Sequence, residues 1–129
     1  MNILVLVKLY MDSAKSGGEH YLHHFLKRLQ TERDVKIRVL IPECKEMNKK
    51  DFEGVEINET TETPTDCLHY VDTCDLLITQ LDFAKQSIDY ALKISKPSIM
   101  IFHNSIDHYD KFIEDPRVIK IFNSNYVMN

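Results

Sequence analysis

Only three glycines occur among the 129 residues, Gly17, Gly18 and Gly54, and neither glycine-dependent phosphate signature can be written from them. The dinucleotide fingerprint G-x-G-x-x-G is absent, and so is the P-loop G-x-x-x-x-G-K-[ST], which removes most of the ground for NAD-dependent and ATP-hydrolysing chemistry. Cysteines are as few. Cys44, Cys67 and Cys74 are odd in number and lack Cys-x-x-Cys spacing, so neither a disulfide framework nor a zinc knuckle is implied. Reduced thiols are the simpler reading. No stretch approaches the ~18 consecutive apolar residues of a membrane span, and the apolar opening at residues 2–7 is too short and wrongly flanked for a signal peptide. A cytoplasmic location is the resulting expectation. A basic surplus is missing too: with a formal charge of −4, a pI near 5.8 and no basic block, nucleic acid and anionic membrane are poor partners.

What is present is an ordinary globular composition, with 43% hydrophobic and 28% charged residues, in a length that suits one domain with one core. The chain is organised around its first stretch. Residues 3–7 are a near-continuous aliphatic run, which suits a strand covered on both faces of a parallel sheet. Two of the three glycines follow, Gly17 and Gly18, and then Tyr21, Leu22, Phe25, Leu26 and Leu29 recur at spacings of three and four, marking one face of a helix. His20, His23, His24, Lys27 and Arg28 make its other, polar face.

Beyond this unit the same alternation repeats. VKIRVLI at 35–41 reads as a second strand ended by Pro42, and the charged stretch ECKEMNKKDFE at 43–53 as a surface connection with at most a short helical turn. Residues 55–57 make a short third strand near one edge. Thr65 or Asp66 caps a helix through Leu68 and Val71, and DLLITQ at 75–80 is a fourth, buried strand. Asp82 caps a helix packed through Phe83, Ile88, Ala91, Leu92 and Ile94, which ends at Lys96-Pro97 before a fifth strand, SIMIF. A short helix at 106–114, a sixth strand at 118–122 and a helix opening at Asn125 complete the chain. Strands alternating with helices imply an α/β, Rossmann-like three-layer sandwich with a mainly parallel sheet of about six strands in the order 3-2-1-4-5-6.

In such a sheet, ligands bind beyond the carboxyl ends of the strands near the point where strand order reverses. Three polar groups fall there: the loop at 16–19, the segment 80–82, and His103-Asn104-Ser105. Gly17 and Gly18 open a helix whose first backbone N–H groups are unpaired and partly positive, a setting that favours phosphate. His103 closes an apolar strand at this edge, where an imidazole can act as acid or base. His20 and His24 have the i, i+4 spacing of metal ligands but no acidic or thiol companion, so a surface histidine face and no obligatory metal are expected. Ser13, Ser16 and Ser105 lack a nucleophile-elbow context, which leaves hydrolase chemistry unsupported.

Four segments together resemble the N-terminal domain of GT-B-type retaining glycosyltransferases, the group that includes sucrose and glycogen synthases and mannosyltransferases. NILVLVKLYMDSAKSGGEHYLHHFLKRL is similar to the family's opening strand, long loop, Gly-Gly-x-Glu turn and helix. VKIRVLIP is similar to its second strand, DLLITQLDFAKQSIDYALKISKPSIMIFHN to its fourth strand through the strand-five histidine, and VIKIFNSNYVMN to the strand that ends in a serine before the next helix. The resemblance implies that Gly17 and Gly18 approach the diphosphate of a nucleotide-sugar donor, that His103 lies at the reaction centre, and that Asn104 neighbours donor or acceptor sugar. It implies a nucleotide-sugar and a glycosyl acceptor as substrates, with no covalently bound cofactor.

Two departures accompany the likeness. Thr79-Gln80 ends the fourth strand where many relatives have a histidine, and a second, donor-binding domain with its Glu-x7-Glu signature does not follow within the 129 residues. A missing C-terminal domain or partner subunit is therefore expected, with weak donor binding and no turnover by the isolated chain. The competing reading is a non-catalytic α/β binding or interaction module, or one subunit of a split transferase.

Overall fold

The computed structural model describes residues 1–8, 10, 17–80, 84–102 and 115–122, with the side chains of 17–21, 84, 102 and 122 outside the description. In chain order its elements are β1 (Asn2–Leu6), α1 (Gly17–Glu32), β2 (Lys36–Ile41), β3 (Asn48–Phe52), β4 (Val55–Glu59), a 3₁₀ helix (Asp66–Thr73), β5 (Leu76–Gln80), α2 (Ala84–Lys93), β6 (Ser98–Phe102) and β7 (Val118–Phe122). They form an α/β fold on one seven-stranded sheet, order β3-β4-β2-β1-β5-β6-β7. Every neighbouring pair is parallel except β3 with β4.

The aliphatic run of β1 is buried from Ile3 onward because this strand has neighbours on both sides, β2 and β5, and packing on both faces. Side chains alternate across it. Leu4 and Leu6 join Leu40, Leu77, Met100 and Val118 in one core closed by Cys67 and Val71 of the 3₁₀ helix and Ile88 and Ala91 of α2. Ile3, Val5 and Val7 join Ile37, Val39, Ile57 and Ile78 in the other, closed by Leu22 and Leu26 of α1. The apolar positions expected on the two helices thus divide as their spacing requires: Leu22, Leu26, Ile88 and Ala91 are fully buried, while Phe25, Leu29, Leu92 and Ile94 pack at the margins.

The sheet corrects the expectation of six strands and of their order. Residues 43–53 are not a plain surface connection, since Asn48–Phe52 pairs antiparallel with Val55–Glu59 and becomes the outermost strand, displacing β4 from the edge. A two-residue turn makes this possible. Glu53 (φ 52°) and Gly54 (φ 90°) both sit in the left-handed region, the turn that matches the twist of a tight hairpin, and Asp51 Oδ1 accepts the Gly54 N–H at 2.9 Å. Lys49 and Lys50 suit an edge because their charges oppose pairing with a further strand.

A second correction concerns residues 66–73, which form a 3₁₀ rather than an α-helix. Thr65 makes no side-chain capping bond; instead Thr63 Oγ1 accepts the Asp66 N–H at 3.1 Å and Thr73 Oγ1 returns to the Tyr70 carbonyl at 3.1 Å. Threonines that bond locally in this way compete with a regular helix. The helices placed at 106–114 and from Asn125, and the Asp82 cap, lie outside the described residues.

Candidate functional site

β1, β5 and β6 run parallel, so the chain leaves all three at one edge, after Leu6, Gln80 and Phe102. Because α1 connects β1 to its parallel neighbour β2, it runs back along the sheet and begins at this same edge. Gly17 and Gly18 are its first two residues, so the first backbone N–H groups of the helix, which have no partner within the helix itself, lie at the carboxyl end of the central strand. Strand order reverses here, since the chain passes from β1 outward to β2 on one side and later returns to β5 on the other.

Of the other groups expected at this edge, Gln80 is 3% exposed at the end of β5, and Thr79 before it is fully buried. The Thr79 hydroxyl donates to the Leu6 carbonyl at 3.0 Å, which ties the carboxyl ends of β1 and β5 together. Ser16, Asp82, His103, Asn104 and Ser105 lie outside the described residues. The glycine pair and Gln80 are therefore the described members of the anticipated site.

The polar face assigned to α1 requires a correction at His23, which is 1% exposed. Its ring lies between two side chains. Tyr10 Oη approaches Nδ1 at 2.7 Å and Glu53 Oε1 approaches Nε2 at 2.7 Å. A neutral imidazole protonated on Nε2 satisfies both contacts, donating to the carboxylate and accepting the tyrosine hydroxyl. The Tyr10 ring meets it edge-on, with centroids 5.5 Å apart at 82°, and the Phe52 ring lies 4.8 Å away. Two more bonds hold the hairpin turn to the helix: Lys27 Nζ donates to the Glu53 carbonyl at 2.7 Å, and Gln30 Nε2 to that of Gly54 at 3.3 Å.

Hydroxyl, imidazole and carboxylate in series is the arrangement of an activated nucleophile and its base. Here Tyr10 is fully buried, so as found the series joins elements and does not meet a solute. Helical spacing alone could not reveal it, because the spacing places His23 beside Leu22 without naming a partner. The available signal was the Glu53-Gly54 pair, which fits a hairpin turn and brings a carboxylate to the helix.

On the opposite face of the sheet, beyond the end of the 3₁₀ helix, an open depression of about 370 Å³ is lined by Arg38, Leu40, Asn48, Asn58, Glu59 and Tyr70, among others. The charged residues that line it pair with neighbours outside the lining, Arg38 and Lys49 with Glu56 and Glu59 with Lys50. Glu56 lies 3.4 Å from Arg38 and 3.5 Å from Lys49, and its carboxyl titrates below the ordinary range, chiefly through the hydrogen bond from the Asn58 amide. Among the described residues no group of three or more His, Cys, Asp or Glu side chains is placed to hold a metal ion, and no helix is long and apolar enough to cross a membrane.

No family model matches this chain, and no curated protein matches it. The functional reading therefore rests on the sheet edge itself.

Proposed function

We propose that this chain is a Rossmann-like, three-layer domain that forms the N-terminal, acceptor-side half of a GT-B-type retaining glycosyltransferase. Its reaction is transfer of a sugar from a nucleotide-activated donor to a glycosyl acceptor. The observation that carries this reading is the position of Gly17 and Gly18, which open α1 beside the central strand where strand order reverses. A diphosphate seated there accepts hydrogen bonds from the first N–H groups of the helix and gains from its partial positive charge. Absent side chains on the two glycines allow close approach of the ligand to the backbone.

In this reading His103 acts at the reaction centre and Asn104 touches donor or acceptor sugar. Base and ribose are held by a C-terminal donor domain or a partner subunit. The three free cysteines suit the reducing cytoplasm, where we place the activity.

The test uses the enzyme completed by its donor domain. Gly18→Asp places a carboxylate where the diphosphate sits, yet an acid in the first turn favours the helix. Donor affinity should fall at least about tenfold while thermal stability holds. His103→Ala should reduce turnover by roughly 10²- to 10⁴-fold with little change in stability. Donor binding and transfer indifferent to both substitutions would exclude this site, and tight binding with turnover by the 129-residue chain alone would show a complete enzyme of another kind.

A further inference from the structure

Three side chains on one face of α1, those of His23, Lys27 and Gln30, reach the two residues of the β3–β4 turn. They follow one another at i, i+4 and i+7, so the contacts extend over about 10 Å of helix. His23 Nε2 meets the Glu53 carboxylate at 2.7 Å, while Lys27 and Gln30 donate to the carbonyls of Glu53 and Gly54. Glutamate is locally disfavoured at this position. Its φ of 52° lies in the left-handed region, where a tight hairpin prefers asparagine, aspartate or glycine, and its side chain is 57% exposed. Neither turn chemistry nor burial accounts for Glu53, whereas its bond to an imidazole that is 1% exposed does.

The turn precedes β4, at the amino ends of the parallel strands, whereas Gly17 and Gly18 open α1 at their carboxyl ends. Leu22 and Leu26 hold the helix to the sheet by apolar burial, which is non-directional. Hydrogen bonds are directional, so those to the turn fix where along its axis, and at what rotation, the helix sits. From His23 back to Gly17 the helix spans only about 9 Å, and its setting at the turn is carried to its first N–H groups. We propose that Glu53 is a positioning residue: by latching the hairpin to His23 it fixes the setting of α1, and with it the affinity of the Gly17-Gly18 turn for a donor diphosphate. The affinity half of this inference rests on the donor reading above, whereas the latch does not.

Two substitutions at position 53 separate the latch from the turn, and both leave the His23 side chain as it is. Glu53→Asn suits the left-handed backbone better than glutamate does, but its side chain is one methylene too short to hold His23. Glu53→Gln keeps an acceptor oxygen at the same reach. Amide hydrogen exchange across residues 22–32 of α1 should quicken about 5- to 10-fold in Glu53→Asn and stay within about threefold of wild type in Glu53→Gln. Exchange across β3 and β4 should be no faster than in wild type, because the turn itself is preserved or improved. Exchange in β1 and β5 should be no faster either, which separates a released helix from global unfolding.

In the enzyme completed by its donor domain, the dissociation constant for UDP-glucose or GDP-mannose should rise at least about threefold in Glu53→Asn and hold in Glu53→Gln, with kcat at saturation altered less than KM. Unchanged α1 exchange in Glu53→Asn, or β3 and β4 amides that quicken along with α1, overturns the latch. The expected exchange pattern in a completed wild-type enzyme that binds neither nucleotide-sugar overturns the donor reading and leaves the latch standing. Donor affinity unchanged despite the expected exchange pattern removes the link between the latch and the glycine turn.

Discussion

Asn2 and Asp75 bond each other twice across 73 residues of sequence: the Asn2 N–H donates to Asp75 Oδ2 at 2.7 Å, and the Asp75 N–H donates to the Asn2 carbonyl at 2.7 Å. The pair closes the entrance of β1 and β5, whose register begins at Ile3 opposite Leu76. A carboxylate that accepts a backbone N–H completes the ladder where the strand itself has ended.

Asp75→Ala removes one of these bonds and leaves the other. Both residues are exposed, so water replaces part of what is lost. The loss should be about 1 kcal/mol. Urea unfolding checks this through a lower midpoint at unchanged slope. An unchanged midpoint would mean that the backbone bond alone closes the ladder.

Gly54 has no neighbour within 4 Å of an added Cβ, so any cost of a side chain there comes from its backbone angle of +90°. Gly54→Ala should destabilise by about 1–2 kcal/mol, and Gly54→Asn by less, because asparagine tolerates left-handed angles better. Thermal denaturation of the two variants supplies the ranking. Alanine as stable as glycine would show that the hairpin adopts another turn without loss.

The strand β3 and the burial of His23, neither evident from the sequence, share a cause with this glycine. Long apolar runs such as ILVL and SIMIF and the spacing of Leu22 and Leu26 report burial directly, so β1, β6 and the inner face of α1 were legible. β3 was not, because NKKDF buries little and becomes a strand only through its partner β4 and a two-residue turn. His23 was misplaced for the same reason. A histidine among histidines reads as surface until the hairpin brings Glu53 against it. Glycine placement, by contrast, located the opening of α1 well, since a pair so concentrated has few other uses in a chain this poor in glycine.

Ser98 opens β6 opposite Leu77 and Val118, and its hydroxyl is buried without a hydrogen-bond partner among the described residues. An unpaired buried hydroxyl carries a desolvation cost of about 1–3 kcal/mol, part of which Ser98→Ala recovers while leaving a space of about one atom. The variant should match or exceed wild-type stability, by up to about 1 kcal/mol. A clear loss in the urea midpoint would reveal a partner for the hydroxyl.

Cys67 closes the core on the 3₁₀ side of the sheet, and its thiol is pushed up from 9.0 to about 12, foremost by burial and then by the charge and hydrogen bond of Glu62. Cys74 is raised as well, again chiefly by burial. Two consequences can be measured. In the folded chain at pH 8 both thiols should react with a disulfide reagent far more slowly than after denaturation, because thiolate is the reactive form. Stability should also respond to alkali in a definite direction. The unfolded thiol loses its proton near 9 while the folded one keeps it to about 12, so across that window the native state binds more protons and stability falls as pH rises. Below pH 9 both states hold the proton and the thiol adds no pH dependence. Tyrosines and lysines titrate in the same range, which makes the difference between wild type and Cys67→Ala the informative quantity. Urea midpoints of the two proteins should run parallel from pH 7 to 9 and converge above it, as the alkaline loss that belongs to Cys67 disappears with the thiol. Midpoints that stay parallel to pH 11 would mean that Cys67 ionises alike in both states, and its burial against Glu62 would then be without energetic effect.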